Sequence, residues 1–235
     1  MIAVTFALPV ESKDFVARLA KQSIVSHDGV ETIRGEIHGL PVAVVHTGVG
    51  GKACQQSIEA FLKRDSIDYL VSAGLAGALD PELKLGDLLI AANFSSRELL
   101  ESPHLRLDGM PIYFAPIVTA PAIVESKADR EKLAKESGAA AVDMETEFIA
   151  KACAVRNVPM MSLRAISDTV AEPFPAPARV LFDVKKQRTP KARLALYLAT
   201  HPGAVGRLKN FGARIAEARA RLTDALLAVV RERLI

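Results

Sequence analysis

The sequence predicts a single α/β domain built around a largely parallel sheet. Short, almost uninterrupted apolar runs alternate along the chain with segments of helical spacing. Strands that are apolar throughout are typical of a sheet covered by helices on both faces. The chain has 235 residues, 50% of them hydrophobic, which suits one large domain. Several apolar runs end in glycine or an acidic residue, at the positions where such folds bind ligands.

The predicted elements follow one another in a regular order. An apolar run at residues 2–8 predicts the first strand, and helical spacing continues over residues 9–22. A second strand at residues 41–46 precedes a helix at residues 52–63. The later elements are strands at residues 67–72, 87–92 and 139–142, a helix at residues 146–156, and a strand at residues 158–166.

Composition excludes several classes of protein. A chain that is half hydrophobic and 24% charged is not intrinsically disordered. With only two cysteines, Cys54 and Cys153, it is not a disulfide scaffold, and we expect both to be buried. Its five histidines are scattered without metal-ligand spacing, so we predict no metal site. No run reaches the ~18 apolar residues of a membrane span, and no signal-peptide pattern precedes the first strand, so we expect a cytoplasmic protein.

Glycines and carboxylates collect where the predicted strands end. They are Glu11, Gly48, Gly50, Gly51, Gly74, Gly77, Asp143, Glu145 and Asp168. Because the carboxyl ends of parallel strands meet at one edge of the sheet, we expect these groups to converge on a ligand. Two simpler interpretations stay open: the glycines serve tight turns, and Asp143 or Asp168 caps the following helix. A dinucleotide site is disfavoured, because Asp68 begins a strand where a ribose contact would end one.

The C-terminal part of the chain is strongly basic. Residues 179–235 carry 13 Lys and Arg against 4 Asp and Glu, a net charge of +9. We therefore divide the chain into an α/β domain at residues 1–178 and a basic helical extension at residues 179–235. Apolar residues spaced three, four or seven apart form one helix face there, namely Leu208, Phe211, Ile215, Leu222, Leu226 and Val229. That face either packs on the domain or contacts an anionic membrane surface or partner. Nucleic acid is excluded as a partner, because aromatic residues for base stacking are scarce.

Two short stretches resemble the signatures of a known superfamily. Residues 142–145 spell VDME, and residues 164–168 spell RAISD. They are similar to V-E-M-E and R-A-I-S-D in the methylthioadenosine/S-adenosylhomocysteine nucleosidases of the purine nucleoside phosphorylase and nucleosidase superfamily. Further similarity lies in ALPVE at residues 7–11, SAGLAGAL at residues 72–79 and the L-x-x-G-D spacing of residues 83–87.

The resemblance implies a single-domain, three-layer fold with a mixed, partly barrel-like central sheet. It implies cleavage of the N-glycosidic bond between ribose and a purine, without a metal or cofactor. Asp168 would deliver a proton toward purine N7, Glu145 would hold the ribose hydroxyls, and Glu11 would activate the water. The implied substrate-binding residues are Met144 along the sugar, Gly77 through its backbone, Ile123 at the base, and Gly48, Asp143 and Ser167.

Two departures from the superfamily pattern bear on the nucleophile. Leu75 stands where a Ser or Thr hydroxyl contacts phosphate in the phosphorylases. The sequence also places no arginine near the strand ends except Arg164, inside its own strand. Both features favour water over phosphate, so we predict hydrolysis, with phosphorolysis as the alternative.

The substrate inferred from the resemblance is a purine nucleoside, specifically an adenine nucleoside modified at its 5′ side. The compact middle and basic tail look most like the hopanoid-associated branch, which acts on adenosylhopane. The alternatives are a methylthioadenosine/S-adenosylhomocysteine nucleosidase and a purine nucleoside phosphorylase. Outside catalysis, the chain could be a nucleoside-binding regulatory protein or a membrane-surface adaptor. The resemblance also implies a homo-oligomer, and the basic helix suggests peripheral contact with the inner membrane surface.

Overall fold

The computed structural model describes residues 1–105, 107, 109–231 and 233–235. Within these residues the chain forms ten strands and eight helices. The strands are β1 (Ile2–Phe6), β2 (Ala20–His27), β3 (Val30–Ile37), β4 (Leu40–His46), β5 (Tyr69–Ala78), β6 (Leu88–Ala91), β7 (Ile112–Ala115), β8 (Ile117–Thr119), β9 (Ala141–Asp143) and β10 (Met160–Asp168). The helices are α1 (Pro9–Val16), α2 (Gly51–Arg64), α3 (Arg97–Leu100), α4 (Lys127–Ser137), α5 (Thr146–Val155), α6 (Ala178–Leu181), α7 (Lys191–Thr200) and α8 (Ala204–Val230).

All ten strands belong to one mixed sheet. Its main path runs β2-β3-β4-β1-β5-β10-β6-β7, and β9 joins β8 to β5. The four central strands β4, β1, β5 and β10 are parallel to one another, so their carboxyl ends share one edge. Antiparallel pairs flank them, including β10 with β6 and β5 with β9. The predicted single-domain α/β fold with a mixed sheet is therefore confirmed.

The central strands are buried because helices cover both faces of the sheet. Every residue of β1 and β10 is buried, which explains why apolar residues on these strands do not alternate with exposed polar ones. One core contains Phe15 of α1 and Leu226 of α8. The other contains Ile58 of α2 and Ile149 of α5. These are the three layers that the superfamily resemblance implied.

The C-terminal helix α8 is part of the core. Leu222, Leu226 and Val229, from the predicted apolar face, are at most 1% exposed and pack in the same core as β1 and β10. The C-terminal half of that face is therefore inside the protein. Among the described helices, none is both long and apolar enough to cross a membrane.

Two segments differ from the sequence prediction. The helix expected over residues 9–22 ends at Val16, and a hairpin of β2 and β3 follows. This hairpin lay outside the prediction because β2 is an exposed edge strand with little apolar patterning. The glycine-rich stretch after residue 72, predicted as a strand end, continues β5 to Ala78. It remains extended because it pairs with both β10 and β9.

The packing of α8 predicts a large difference between two leucine truncations in the C-terminal region. Leu226 on α8 is 0% exposed, whereas Leu196 on α7 is 67% exposed. Leu226→Ala should lower the unfolding free energy by about 2–5 kcal/mol, and Leu196→Ala should change it by less than about 0.5 kcal/mol. Urea denaturation of both variants measures this difference. Equal stabilities would contradict the placement of α8 in the core.

Candidate active site

A cavity of about 290 Å³ lies at the carboxyl edge of the parallel strands. Glu11, Glu145 and Asp168 all line it, although 133 residues of chain lie between the first and the second. The strand order brings them together, because β1, β5 and β10 are neighbours and β9 pairs with β5. The cavity has the size typical of small-molecule sites, which start near ~300 Å³.

Glu11 is held in the first turn of α1, just after β1. Pro9 begins this helix, and the Leu8 backbone N–H donates to Glu11 Oε2 at 3.1 Å. Burial raises the pKa of the Glu11 carboxyl, and the Leu8 N–H and the Arg164 charge partly oppose this rise. The result is a carboxyl group more basic than an exposed glutamate, which suits it to accept a proton.

Glu145 lies between β9 and the start of α5. The backbone N–H of Gly50 donates to Glu145 Oε1 at 2.7 Å. Burial, followed by repulsion from Asp143, raises the pKa of Glu145 to about 8. Burial in the empty cavity therefore favours the protonated form of this group.

A buried ion pair between Asp143 and Arg164 lies beside these two carboxyl groups. Arg164 Nη2 lies 3.0 Å from Asp143 Oδ2, and both side chains are at most 3% exposed. Asp143 also accepts from Thr119 Oγ1 at 2.8 Å and from the backbone N–H of Thr146. The last bond is the helix-capping contact that the sequence left open for Asp143.

Asp168 ends β10 at a bulge in its pairing with β5. Such bulges re-aim a side chain near a site. Ser167 Oγ donates to Asp168 Oδ1 at 2.6 Å, and Arg130 Nη2 donates to Asp168 Oδ2. Gly77 lies so close that an added Cβ would be 3.0 Å from Asp168 Oδ2. A β-carbon there would therefore have to displace the Asp168 carboxyl group slightly.

Arg130 corrects one inference from the sequence. We expected no arginine at the strand ends besides Arg164, yet Arg130 of α4 forms an ion pair with Asp168, and both side chains are 2% exposed. Arg130 also donates to the Ala78 carbonyl at 3.0 Å and lines the cavity. The sequence gives no signal for this residue, because it sits in a helix that is otherwise polar and solvated. The argument for hydrolysis that used missing arginines is therefore wrong, and the argument from Leu75 remains.

The structure brings together most of the predicted substrate-binding residues. Those that line the cavity are Met144, Gly77, Asp143, Ser167 and Ile123. Gly48 is not among the lining residues, and the adjacent Val49 takes that place. With a φ of 78°, Gly48 instead shapes the turn that follows β4.

Aromatic residues of the C-terminal half complete the cavity wall. Phe174, Phe182 and Phe211 line it together with Ile215, and the Phe174 and Phe211 rings pack with centroids 5.7 Å apart. Sequence analysis placed Phe211 and Ile215 on an apolar helix face without connecting them to the site. The sequence did not mark Phe174 and Phe182 as site residues, because they lie in short, proline-rich or irregular segments with no periodic pattern.

The raised pKa of Glu145 predicts a pH-dependent effect of Glu145→Gln on stability. Because the Glu145 pKa is about 8 in the folded protein against an ordinary value of 4.5, the folded state keeps a proton that the unfolded chain loses. The unfolding free energy of the wild type, relative to the variant, should fall as pH rises from 4.5 toward 8 and then level off. Chemical denaturation at about pH 5, 7 and 9 measures this. A difference that does not change with pH would contradict the assignment.

Comparisons with known proteins agree with the fold. The chain matches the profile of the phosphorylase superfamily over residues 1–104 and 92–228. A 5′-methylthioadenosine/S-adenosylhomocysteine nucleosidase of Staphylococcus aureus is 26% identical over 196 residues, which cover 72% of this chain and 86% of that protein.

Solved structures share the architecture. The 5′-methylthioadenosine/S-adenosylhomocysteine nucleosidase from Neisseria meningitidis, in complex with methylthio-immucillin-A, superposes with a TM-score of 0.74 at 18% identity. The superposition covers 98% of this chain and 98% of that one. A futalosine hydrolase mutant of Helicobacter pylori superposes with a TM-score of 0.64 at 21% identity, over 71% of this chain and 87% of that one. The superfamily inferred from residues 142–145 and 164–168 is thus confirmed: the chain belongs to the phosphorylase superfamily.

Proposed function

We propose that this protein is a nucleosidase that hydrolyses the N-glycosidic bond of a 5′-modified adenine nucleoside and releases adenine. The observation that carries the proposal is the convergence of Glu11, Glu145 and Asp168 on one cavity. The superfamily match and the nucleosidase relatives support its assignment as an enzyme that cleaves N-glycosidic bonds. No step of the proposed mechanism uses a metal or a cofactor.

Asp168 is the proposed general acid. A purine leaves slowly as an anion, and protonation at N7 makes it a better leaving group. Purine N7 is a hydrogen-bond acceptor, and general acid catalysis contributes ~10²–10⁴-fold. In the empty site Asp168 is paired with Arg130. It can act as an acid only after the bound substrate displaces that guanidinium and the carboxylate takes up a proton from solvent, which it then passes to N7.

Glu145 and Glu11 act on the sugar and on the water. As the C1′–N9 bond breaks, positive charge develops on the ribose ring. In its ionised form, the Glu145 carboxylate holds the ribose hydroxyls and strengthens its hold as that charge grows. Water attacks C1′, its proton passes to Glu11, and the products are adenine and the free sugar. Leu75, which has no hydroxyl to contact phosphate, lines the cavity and favours water over phosphate as the nucleophile.

The apolar part of the wall is the proposed site of the 5′ substituent. The three carboxyl groups act on the base, on the attacking water and on the sugar hydroxyls. The apolar residues Phe174, Phe211 and Ile215 are therefore left to contact the rest of the substrate. This wall suits a hydrocarbon group, which agrees with a lipid-linked adenosine such as adenosylhopane. Methylthioadenosine or S-adenosylhomocysteine is the second candidate, favoured by the Staphylococcus aureus relative.

Peripheral membrane contact and a homo-oligomeric state remain part of this proposal. The cations between residues 179 and 193 support contact with an anionic surface, since six of these fifteen residues are Lys or Arg. No residue of α7, the helix that follows, is buried. Binding to anionic liposomes and sedimentation in solution test the two ideas separately.

A product assay tests the proposed activity. The purified protein is incubated with adenosine, methylthioadenosine, S-adenosylhomocysteine and a lipid-linked adenosine, each with and without phosphate. We expect free adenine and the free sugar from a 5′-modified substrate, at a rate independent of phosphate. A sugar phosphate as product would show phosphorolysis, and binding without adenine release would favour a nucleoside-binding regulatory protein.

The ion pair between Asp168 and Arg130 predicts two separable effects of Asp168→Asn. The variant should lose activity by ~10²–10⁴-fold, because it cannot donate a proton. It should also lose about 3–5 kcal/mol of stability, because a buried guanidinium keeps no countercharge. Steady-state kinetics and urea denaturation measure the two effects.

The double variant Asp168→Asn with Arg130→Met is the control, because it removes both charges. It should recover stability and stay inactive. Near-normal turnover by Asp168→Asn at a temperature where it is folded would overturn the assignment of the acid.

A further inference from the structure

A short segment of the C-terminal region crosses the turn that carries Gly48 and Gly50. We call residues 183–188 the strap. Its ends are joined by a β-bridge in which the Asp183 N–H donates to the Arg188 carbonyl at 2.9 Å. Val184 in the strap lies over Gly50, where an added Cβ would be 3.3 Å from Val184 Cγ1. The strap therefore packs directly against the turn between β4 and α2.

Gln187 binds both polar groups of Val49 at the centre of that turn. The Val49 N–H donates to Gln187 Oε1 at 2.7 Å, and Gln187 Nε2 donates to the Val49 carbonyl at 2.9 Å. Gln187 Nε2 also donates to the Val184 carbonyl at 2.6 Å, which fixes the amide within the strap. Gln187 itself has a φ of 50°, a left-handed conformation that costs a non-glycine residue energy and persists where the surroundings enforce it.

The turn held by Gln187 ends in the hydrogen-bond donor to Glu145. Gly48 and Gly50 have φ values of 78° and 86°, so the residues on either side of Val49 are glycines with wide conformational freedom. The next peptide N–H, that of Gly50, donates to Glu145 Oε1 at 2.7 Å. Backbone bonds fix the two glycines, since the Gly48 N–H donates to the Ala7 carbonyl and the Gly50 carbonyl accepts from the Cys54 N–H, each at 3.0 Å. The Gln187 amide adds the contacts to both polar groups of Val49 between them.

We propose that Gln187 is a positioning residue for Glu145: by fixing Val49, it holds the Gly50 N–H that orients the Glu145 carboxyl group toward the sugar hydroxyls. The inference rests on the proposed function and adds the strap to the substrate-binding apparatus. Catalytic groups work best when neighbouring hydrogen bonds lock their geometry. The residue touches no reacting atom itself, since its contacts are with Val49 and Val184.

This role predicts a loss that depends on the sugar hydroxyls. Removal of the amide in Gln187→Ala breaks both hydrogen bonds to the turn. For an accepted ribonucleoside, kcat/KM should fall roughly 10-fold or more, because the Gly50 N–H that orients Glu145 loses its support. For its 2′,3′-dideoxy counterpart, which offers Glu145 no hydroxyl, we expect a change below roughly 2-fold, since no affected contact remains. A merely structural defect would lower both values alike.

The experiment compares Gln187→Ala with Gln55→Ala on both substrates. Gln55 is the matched control: it is exposed on α2, and its amide donates to Glu59 one turn away, at 2.9 Å. Gln55→Ala should leave both substrates unaffected. In a Glu145→Gln background, Gln187→Ala should cause no further fall in kcat/KM for the ribonucleoside, because the two residues act through one contact. Equal losses on both substrates, additive losses in the double variant, or no loss at all would each overturn the inference.

Calorimetric binding of the same two nucleosides separates this inference from the proposed function. A wild type that prefers the ribonucleoside but does not cleave it would overturn the proposed activity only, and Gln187→Ala should still reduce that preference. A wild type that cleaves the ribonucleoside while Gln187→Ala keeps the full preference would overturn the inference only. A wild type that neither binds nor cleaves a nucleoside would overturn both.

Discussion

The buried guanidinium of Arg164 is the interaction on which the site depends. It lies inside β10 and donates to Asp143 at the end of β9, to the Ser72 carbonyl of β5 at 2.6 Å, and to Thr146 Oγ1 of α5 at 2.6 Å. Four elements therefore share one cation at the edge where the ligand cavity opens. Breaking a buried pair of this kind costs about 3–5 kcal/mol, so the network constrains the backbone on which Glu145 is placed.

The same cation balances the electrostatics of the site. Burial raises the pKa values of both Glu11 and Glu145, and the charge of Arg164 opposes the rise at each. A second ion pair, between Asp168 and Arg130, lies at the other side of the cavity. Arg164 and Arg130 thus compensate the buried acids of the site between them, and burying these charges has a cost in folding stability. That cost is expected at a site selected for chemistry rather than for stability.

The sequence predicted the parts of the fold and site that depend on local pattern. Residues 142–145 and 164–168 identified Glu145 and Asp168, and uninterrupted apolar runs identified the buried parallel strands. The remaining features depend on contacts between distant segments. Arg130 looks like one more charge on a solvated helix, and Gln187 looks like a polar loop residue. The edge hairpin of β2 and β3 is too exposed to carry an apolar pattern. Only the assembled sheet shows which partners these residues meet.

The C-terminal region packs on the sheet and contacts the cavity, two roles that its basic composition does not indicate. Helix α8 fills one face of the sheet with Leu222 and Leu226, while Phe211 and Ile215 nearer its N-terminal end reach the cavity. The strap then contacts the turn beside Glu145. Helix α8 and the strap are therefore integral to the packing and to the surroundings of the cavity.

The most direct test of the account is a crystal structure of the protein with an uncleaved adenosine analogue. We expect the ligand in the cavity at the carboxyl edge of β1, β5 and β10, with purine N7 within hydrogen-bond distance of Asp168. The ribose hydroxyls should contact Glu145, and Glu11 should face C1′ across a water. An analogue bound outside this cavity, or with its sugar remote from Glu145, would contradict the claim that the three carboxyl groups act on one glycosidic bond.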